Sequence, residues 1–231
     1  MKLKTIAFVF FSFAIFNCNA QSKKLISFSF KKGEVMDIML LTTAPDSETK
    51  YERYRKIIFP VAFEYSYQPQ NGFRISKLTL GTHHPSSIIF GKWENKQKRE
   101  GFLANISKRV PGFHEQRREL FPYFDLTYYE VQKDLNFSIN REKYNVVTSF
   151  WKNDSKKFER FISKWEGDIK KAGGKIILQL NIGNSPTGYV YNPDQFYIIE
   201  WNNESAFDAF AKTHKMSSYD DLKNVHQFKI D

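Results

Sequence analysis

The chain of 231 residues has a single cysteine, Cys18, so no disulfide can form within it and no thiolate set can hold zinc. Glycine is scarce at 11 residues, and no glycine-rich loop of the kind that cradles a phosphate is present. Also missing are a nucleophile elbow, an H-E-x-x-H run and carboxylates paired at a defined spacing. Without covalent staples or metals, stability must come from a core. An aromatic content of 17% supplies large apolar groups for one, and the length suits one large domain or two small ones.

No apolar run is long enough to cross a bilayer, which needs about 20 residues. The N-terminal one, Ile6 to Phe16, follows Lys2 and Lys4 and ends at Cys18-Asn19-Ala20. That pattern is a secretory signal, so residues 1–20 are expected to be removed and the protein to be exported to the periplasm or medium. Cys18 offers a second outcome, lipidation of its thiol. Phe16 and Asn17 are bulky where a lipoprotein box has small residues, so cleavage after Ala20 is preferred.

Acidic residues are outnumbered by 35 to 25, a net charge of +10 of which Lys2 and Lys4 account for two. Such an excess often marks nucleic-acid binding, but an exported protein rarely meets any. A solvated basic surface is the expected reading; if the excess has a partner, acidic glycans, lipid head groups or a small anion suit it better than nucleic acid.

The chain is written twice. A step of 108 residues carries Pro85 onto Pro193, Trp93 onto Trp201 and Phe102 onto Phe210. A step of 107 carries Lys50-Tyr51-Glu52-Arg53-Tyr54 onto Lys157-Phe158-Glu159-Arg160-Phe161, and one of 109 carries Phe28-Ser29 onto Phe137-Ser138. Matches in the same order point to a duplicated domain, since the period is far longer than that of solenoid repeats. The expected units are 25–133, with an insertion at 107–122, and 134–231.

The second unit reads cleanly. Tyr144 to Trp151 is β-prone, and Asp154 or Ser155 then caps a helix whose Phe158, Phe161, Ile162, Trp165 and Ile169 form one apolar stripe. Gly173-Gly174 ends it. Strands follow over Lys175 to Leu180 and Gln195 to Trp201, around a turn-rich loop from Gly183 to Pro193. Asn203 caps a second helix lined by Phe207, Phe210 and Ala211, and Val225 to Ile230 is the last strand. The first unit repeats this with strands over 37–42, 73–80, 87–93 and 123–131 and helices over 48–59 and from Asn95. Pro60 is expected to end or kink the first of these helices.

The order β-α-β-β-α-β is the ferredoxin-like unit, whose sheet leaves one apolar face uncovered. Two such units packed sheet to sheet give an α+β fold, a single-chain α/β barrel with a pseudo-twofold axis that needs no second chain. Pro193 to Trp201, followed by Ser205-Ala206-Phe207-Asp208-Ala209-Phe210, resembles the strand-to-helix junction of the dimeric α/β-barrel superfamily, which includes antibiotic-biosynthesis and haem-degrading monooxygenases. The resemblance covers Tyr144 to Ile230 well and Asp37 to Val131 weakly. It implies pockets between each sheet and its helices, walled by Tyr197, Trp201 and Phe210 in one unit and by Trp93 and Phe102 in the other. Haem degraders carry a tryptophan in the second helix with a histidine beyond it. Phe210 and Phe102 stand at that position and the histidine is not at its matching place, so no cofactor is expected.

Candidate chemistry is sparse. His83-His84-Pro85 could offer a base in His84; a surface loop is the bland reading, and no metal site is expected. His214 could face a pocket as a base or sit as a polar residue at a helix C-terminus. Tyr65, Tyr67, Tyr128, Tyr129, Tyr189 and Tyr191 could form core or hold a flat ligand. Lys96, Lys98, Arg99, Lys108, Arg109, Arg117 and Arg118 make a basic stretch found in the first unit only, suited to an anion or an acidic surface. The expected function is binding of a small organic ligand in a barrel pocket. A cofactor-independent monooxygenase or isomerase, and an envelope interaction module using the basic stretch, are the alternatives.

Overall fold

A computed structural model describes residues 24–186, 188–216 and 221–231. The signal segment and Cys18 lie outside the described residues, among which no helix is long and apolar enough to cross a membrane.

The first half runs β1 (Leu25–Phe30), β2 (Val35–Thr42), α1 (Glu48–Glu64), β3 (Gln68–Leu80), β4 (Ser87–Trp93), α2 (Lys96–Arg109), α3 (Phe113–Leu120) and β5 (Tyr123–Glu130). The second runs β6 (Leu135–Asn140), β7 (Tyr144–Lys152), α4 (Ser155–Lys171), β8 (Lys175–Asn181), β9 (Gln195–Trp201), α5 (Glu204–Thr213) and β10 (Leu222–Ile230). Each half is a βαββαβ unit preceded by one extra strand. The fold is α+β, with two ferredoxin-like repeats packed as a single-chain α/β barrel.

The eight main strands form one sheet in the order β5-β2-β4-β3-β10-β7-β9-β8. β2 and β7 lie inside their half-sheets with helices on one side and the barrel interior on the other, which is why both are buried on both faces. From β2, Met36, Ile38 and Leu40 point into the barrel, while Val35, Asp37, Met39 and Leu41 face the helices. The barrel core gathers Met36, Ile38, Phe90, Val147, Phe196, Ile198 and Phe228. β1 and β6 pair with each other outside this sheet, Phe28 opposite Phe137, and their inward residues join the same core. The rings of Phe28 and Phe137 stack at 4.7 Å. They are each other's repeat partners, so the pseudo-twofold axis passes between them.

Caps follow the sequence. Asp154 accepts from the Lys157 amide at 3.0 Å, Asn95 from Lys98 at 2.9 Å and Asn203 from Ala206 at 3.0 Å. Three expectations need correction. α1 does not stop at Pro60 but continues to Glu64, because the proline is exposed while Ile58, Val61 and Ala62 anchor the helix on the sheet. β3 begins at Gln68 rather than Phe73. The 107–122 insertion is the last turn of α2 followed by α3, whose Phe113 and Leu120 are buried.

The two seams of the barrel differ. At one, β3 pairs with β10 over Ile75, Lys77, Leu78 and Leu80. At the other, β8 stops at Asn181, and a single bridge between Tyr128 and Asn184 closes the ring. That bridge is the pseudo-twofold mate of the Lys77 and Lys229 pair. It forms because Gly183 carries no side chain: a Cβ there would come within 2.7 Å of Thr127 and 2.8 Å of Tyr129.

Candidate functional site

The two halves can be superposed residue by residue through their strand registers. Asp37 lies opposite Gly91, and Val146 opposite Ile199, so Asp37 and Val146 correspond. The shared Asn caps make Arg99 the counterpart of Phe207 and Ile106 that of His214. The caps Ser47 and Asp154 make Ile58 the counterpart of Trp165, and Ala62 that of Ile169.

Between α4, α5 and their sheet, the second half is packed with Phe158, Phe161, Trp165, Ile169, Tyr197, Trp201 and Phe210. Trp165 fills the middle, edge-on to Phe150 at 4.8 Å and to Tyr197 at 5.2 Å. In the first half Ile58 and Ala62 stand where the second half's helix has Trp165 and Ile169. A cavity of about 360 Å³ remains there, walled by Met39 and Ile89 from the sheet, Tyr54, Ile58 and Phe59 from α1, Phe102 from α2 and Phe113 from α3. Gly91, where the second half has Ile199, lets Tyr67 lie against the sheet; a Cβ would meet its ring at 2.8 Å. Tyr67 in turn packs on Trp93 at 4.7 Å.

A buried ion pair borders this cavity. Arg99 Nε donates to Asp37 Oδ1 at 2.9 Å, and Trp93 Nε1 donates to Asp37 Oδ2 at 2.8 Å. The Arg99 and Asp37 side chains are 2% and 5% exposed. The guanidinium lies 3.8 Å over the ring of Tyr128, whose hydroxyl donates to Glu100 at 2.8 Å. Burial, then the Glu100 bond, push the Tyr128 phenol up to about 12. Arg99 Nη2 is buried without a hydrogen-bond partner among the described residues.

An open cleft of about 820 Å³ adjoins the cavity, sharing Arg99, Leu103, Arg117, Phe121 and Phe124 with it. Its far wall is Asn184, Ser185, Pro186, Gly188 and Tyr189, from the loop that leaves the sheet at the weak seam. The second half therefore contributes to the mouth of the first half's site.

The residues singled out in the sequence are distributed as follows. Trp93 and Phe102 line the cavity. Tyr197, Trp201 and Phe210 are buried in the close-packed counterpart. His214 stacks on Phe210 at 4.1 Å, its Nε2 3.3 Å from Asp168 and its Nδ1 3.0 Å from the Phe210 carbonyl at the end of α5. His84 is exposed, away from the cavity. Of the basic stretch, Arg99 is buried rather than on a surface. Lys96, Arg109 and Arg118 pair with Glu100, Glu64 and Glu115, while Lys98 is half-buried and Lys108 exposed.

Sequence reasoning missed Asp37, Tyr54 and Ile58. The signal was available in the contrast of Ile58 with Trp165 and of Asp37 with Val146, which marks where one copy gives up apolar volume. His226, uninterpreted in the sequence, is fully buried inside the barrel. Its Nδ1 is 2.9 Å from the Tyr191 hydroxyl, which donates to Ser149 at 2.8 Å, and its Nε2 is 3.1 Å from the His83 carbonyl. Desolvation lowers its pKa to about 4.

No known protein family matches the chain, and no curated protein does. Among solved structures, an anthrone oxidase-like protein is 12% identical, with 89% of this chain and 94% of that one covered and a TM-score of 0.50. A chlorite dismutase from Candidatus Nitrospira defluvii in complex with imidazole is 10% identical over 87% and 92%, with a TM-score of 0.46. Identities this low speak to the fold alone. That fold is the dimeric α/β barrel, here completed within one chain.

Proposed function

We propose that the protein binds a small organic molecule with a flat apolar body in the cavity between the first half's sheet and helices. One observation carries the reading: at corresponding places the second half sets Trp165 and Ile169 into its core, while the first sets Ile58 and Ala62 beside an open space of about 360 Å³. That volume lies within the range of small-ligand sites, and its walls combine aromatic faces with few polar groups, as such sites do. Neither His84 nor His214 borders it, so binding, rather than catalysis by either histidine, is what the geometry supports.

The test is titration with N-phenyl-1-naphthylamine, a neutral aromatic probe whose emission rises in apolar surroundings. The expected result is one binding equivalent per chain. Ile58→Trp, which copies the second half's indole into the cavity, should weaken binding at least about tenfold while leaving the circular dichroism spectrum unchanged. Undiminished binding in a folded Ile58→Trp protein would overturn the assignment of the site.

A further inference from the structure

At the junction of cavity and cleft the structure collects donors, and the acids there, Glu100 and Asp37, are already engaged. Arg117 of α3 lines both spaces. Its guanidinium carbon lies 5.4 Å from the ring centre of Phe113, 4.9 Å from Phe124 and 5.3 Å from Tyr189. Rings on several sides hold the cation in place. Among the described residues it has no carboxylate within ion-pair distance, and its contact with His114 Nδ1 is a long one at 3.4 Å. Its neighbours differ: Arg118 bonds Glu115 at 2.9 Å, and Arg99 bonds Asp37.

Two further donors near it are unspent. The Tyr189 hydroxyl and Arg99 Nη2 are both buried without a hydrogen-bond partner among the described residues, and both side chains line the same cleft. Burial raises the Tyr189 phenol above its ordinary value and the Asp125 charge adds to this, while the Arg117 and Arg99 charges and an interaction with the Arg117 side chain oppose the rise. The acid on this cleft, Glu100, is already engaged by the Tyr128 hydroxyl at 2.8 Å and by Lys96 at 3.9 Å. A guanidinium has only donors, and buried polar groups left unmatched by the protein call for a ligand or water to match them. A neutral apolar ligand would leave all of them unmatched.

We infer that the ligand is an organic anion, its flat apolar body in the inner cavity and its acid group at the mouth, accepting from Arg117 and Tyr189. This rests on the binding reading above and names the chemical class of what is bound. A carboxylate, sulfonate or phosphate would serve, because each offers several acceptor oxygens and a negative charge to one fixed cation. The acid group stays at the open end, where its remaining oxygens keep their water. The second half's loop, through Tyr189, takes part in recognition by the first half.

The experiment compares N-phenyl-1-naphthylamine with 8-anilinonaphthalene-1-sulfonate, the same aromatic framework carrying one sulfonate. Only emission that Ile58→Trp removes is counted, which excludes dye held elsewhere on the surface. In the wild type the sulfonate should bind at least about tenfold more tightly. Arg117→Met, which keeps an unbranched apolar side chain among the rings, should abolish that advantage and leave the neutral dye within about twofold, while Lys108→Met changes neither. Should Arg117→Met fail to fold, added salt on the wild type gives the same discrimination: it should weaken the sulfonate and spare the neutral dye. Equal affinities in the wild type, or an advantage that survives in Arg117→Met, would overturn the anion and leave the cavity's role standing. Loss of binding by both dyes in the wild type would overturn the binding reading itself.

Discussion

Trp93 and Trp201 stand at the same place in the two halves and live differently. Trp93 donates to Asp37, whereas the indole nitrogen of Trp201 is buried without a partner among the described residues, because Val146 stands where Asp37 would be. Across the helix-to-sheet space the same trade repeats. The second half has Val146, Phe207 and Trp165; the first has Asp37, Arg99 and Ile58. One half devotes its interior to packing and the other to a buried charge pair beside an open cavity. Where a fold contains two corresponding units, a space that one fills and the other leaves open is a candidate for binding.

The largest expected effect comes from breaking the charge pair. Asp37→Val leaves Arg99 buried beside an apolar residue and the Trp93 indole without its acceptor, so it should cost about 3–5 kcal/mol in denaturant unfolding. Asp37→Val combined with Arg99→Phe rebuilds the second half's arrangement and should recover most of that loss. An equal or larger loss in the double variant would mean that the two sites are not interchangeable.

Next is the reciprocal change. Trp165→Ile gives the second half the first half's side chain and should destabilise by about 3 kcal/mol, the size of a large-to-small change in a tight core. It should also create a second site for the neutral dye; a stoichiometry that stays at one would show that other walls keep that space closed.

The smallest effect concerns the barrel interior, where Asp125 and His226 occupy corresponding positions and both grip Tyr191. Asp125 accepts from the Val190 and Tyr191 amides at 3.3 and 3.4 Å, while His226 meets the Tyr191 hydroxyl. His226 has its folded pKa lowered to about 4, against 6.5 for the free side chain. The unfolded chain therefore takes up the proton first as pH falls. The stability contributed by neutral His226 is intact above about pH 6.5 and declines toward pH 4. His226→Gln should flatten that part of the stability-against-pH curve. An unchanged slope would assign the acid sensitivity to other groups.

Local signals in the chain were reliable where the cause was local. The apolar stripe of α4, the Asn caps of α2 and α5, and the β-branched and aromatic run of β9 all form as their residues suggest. Pro60 misled because a lost hydrogen bond on an exposed face is outweighed by the burial of Ile58, Val61 and Ala62 around it. Arg99 misled because a basic residue among other basic residues reads as surface. Its acid partner lies 62 positions away on another element, and no periodicity connects the two. The insertion at 107–122 carried no hint that its helix would wall a cavity, since what it faces depends on where α1 and α2 leave room.

By itself the sequence determined the doubled βαββαβ plan, because alternation, apolar stripes and caps are set by neighbours a few residues apart and recur in order in both halves. Tertiary structure alone decided that one seam zips while the other closes on a single bridge, that Asp37 and Arg99 meet in the dark, and that Ile58 and Ala62 border a space of about 360 Å³ where Trp165 and Ile169 fill the second half's core. Each of these depends on the volumes and charges of residues brought together from distant elements, and close packing decides between filling a gap and leaving it open only once those elements have docked.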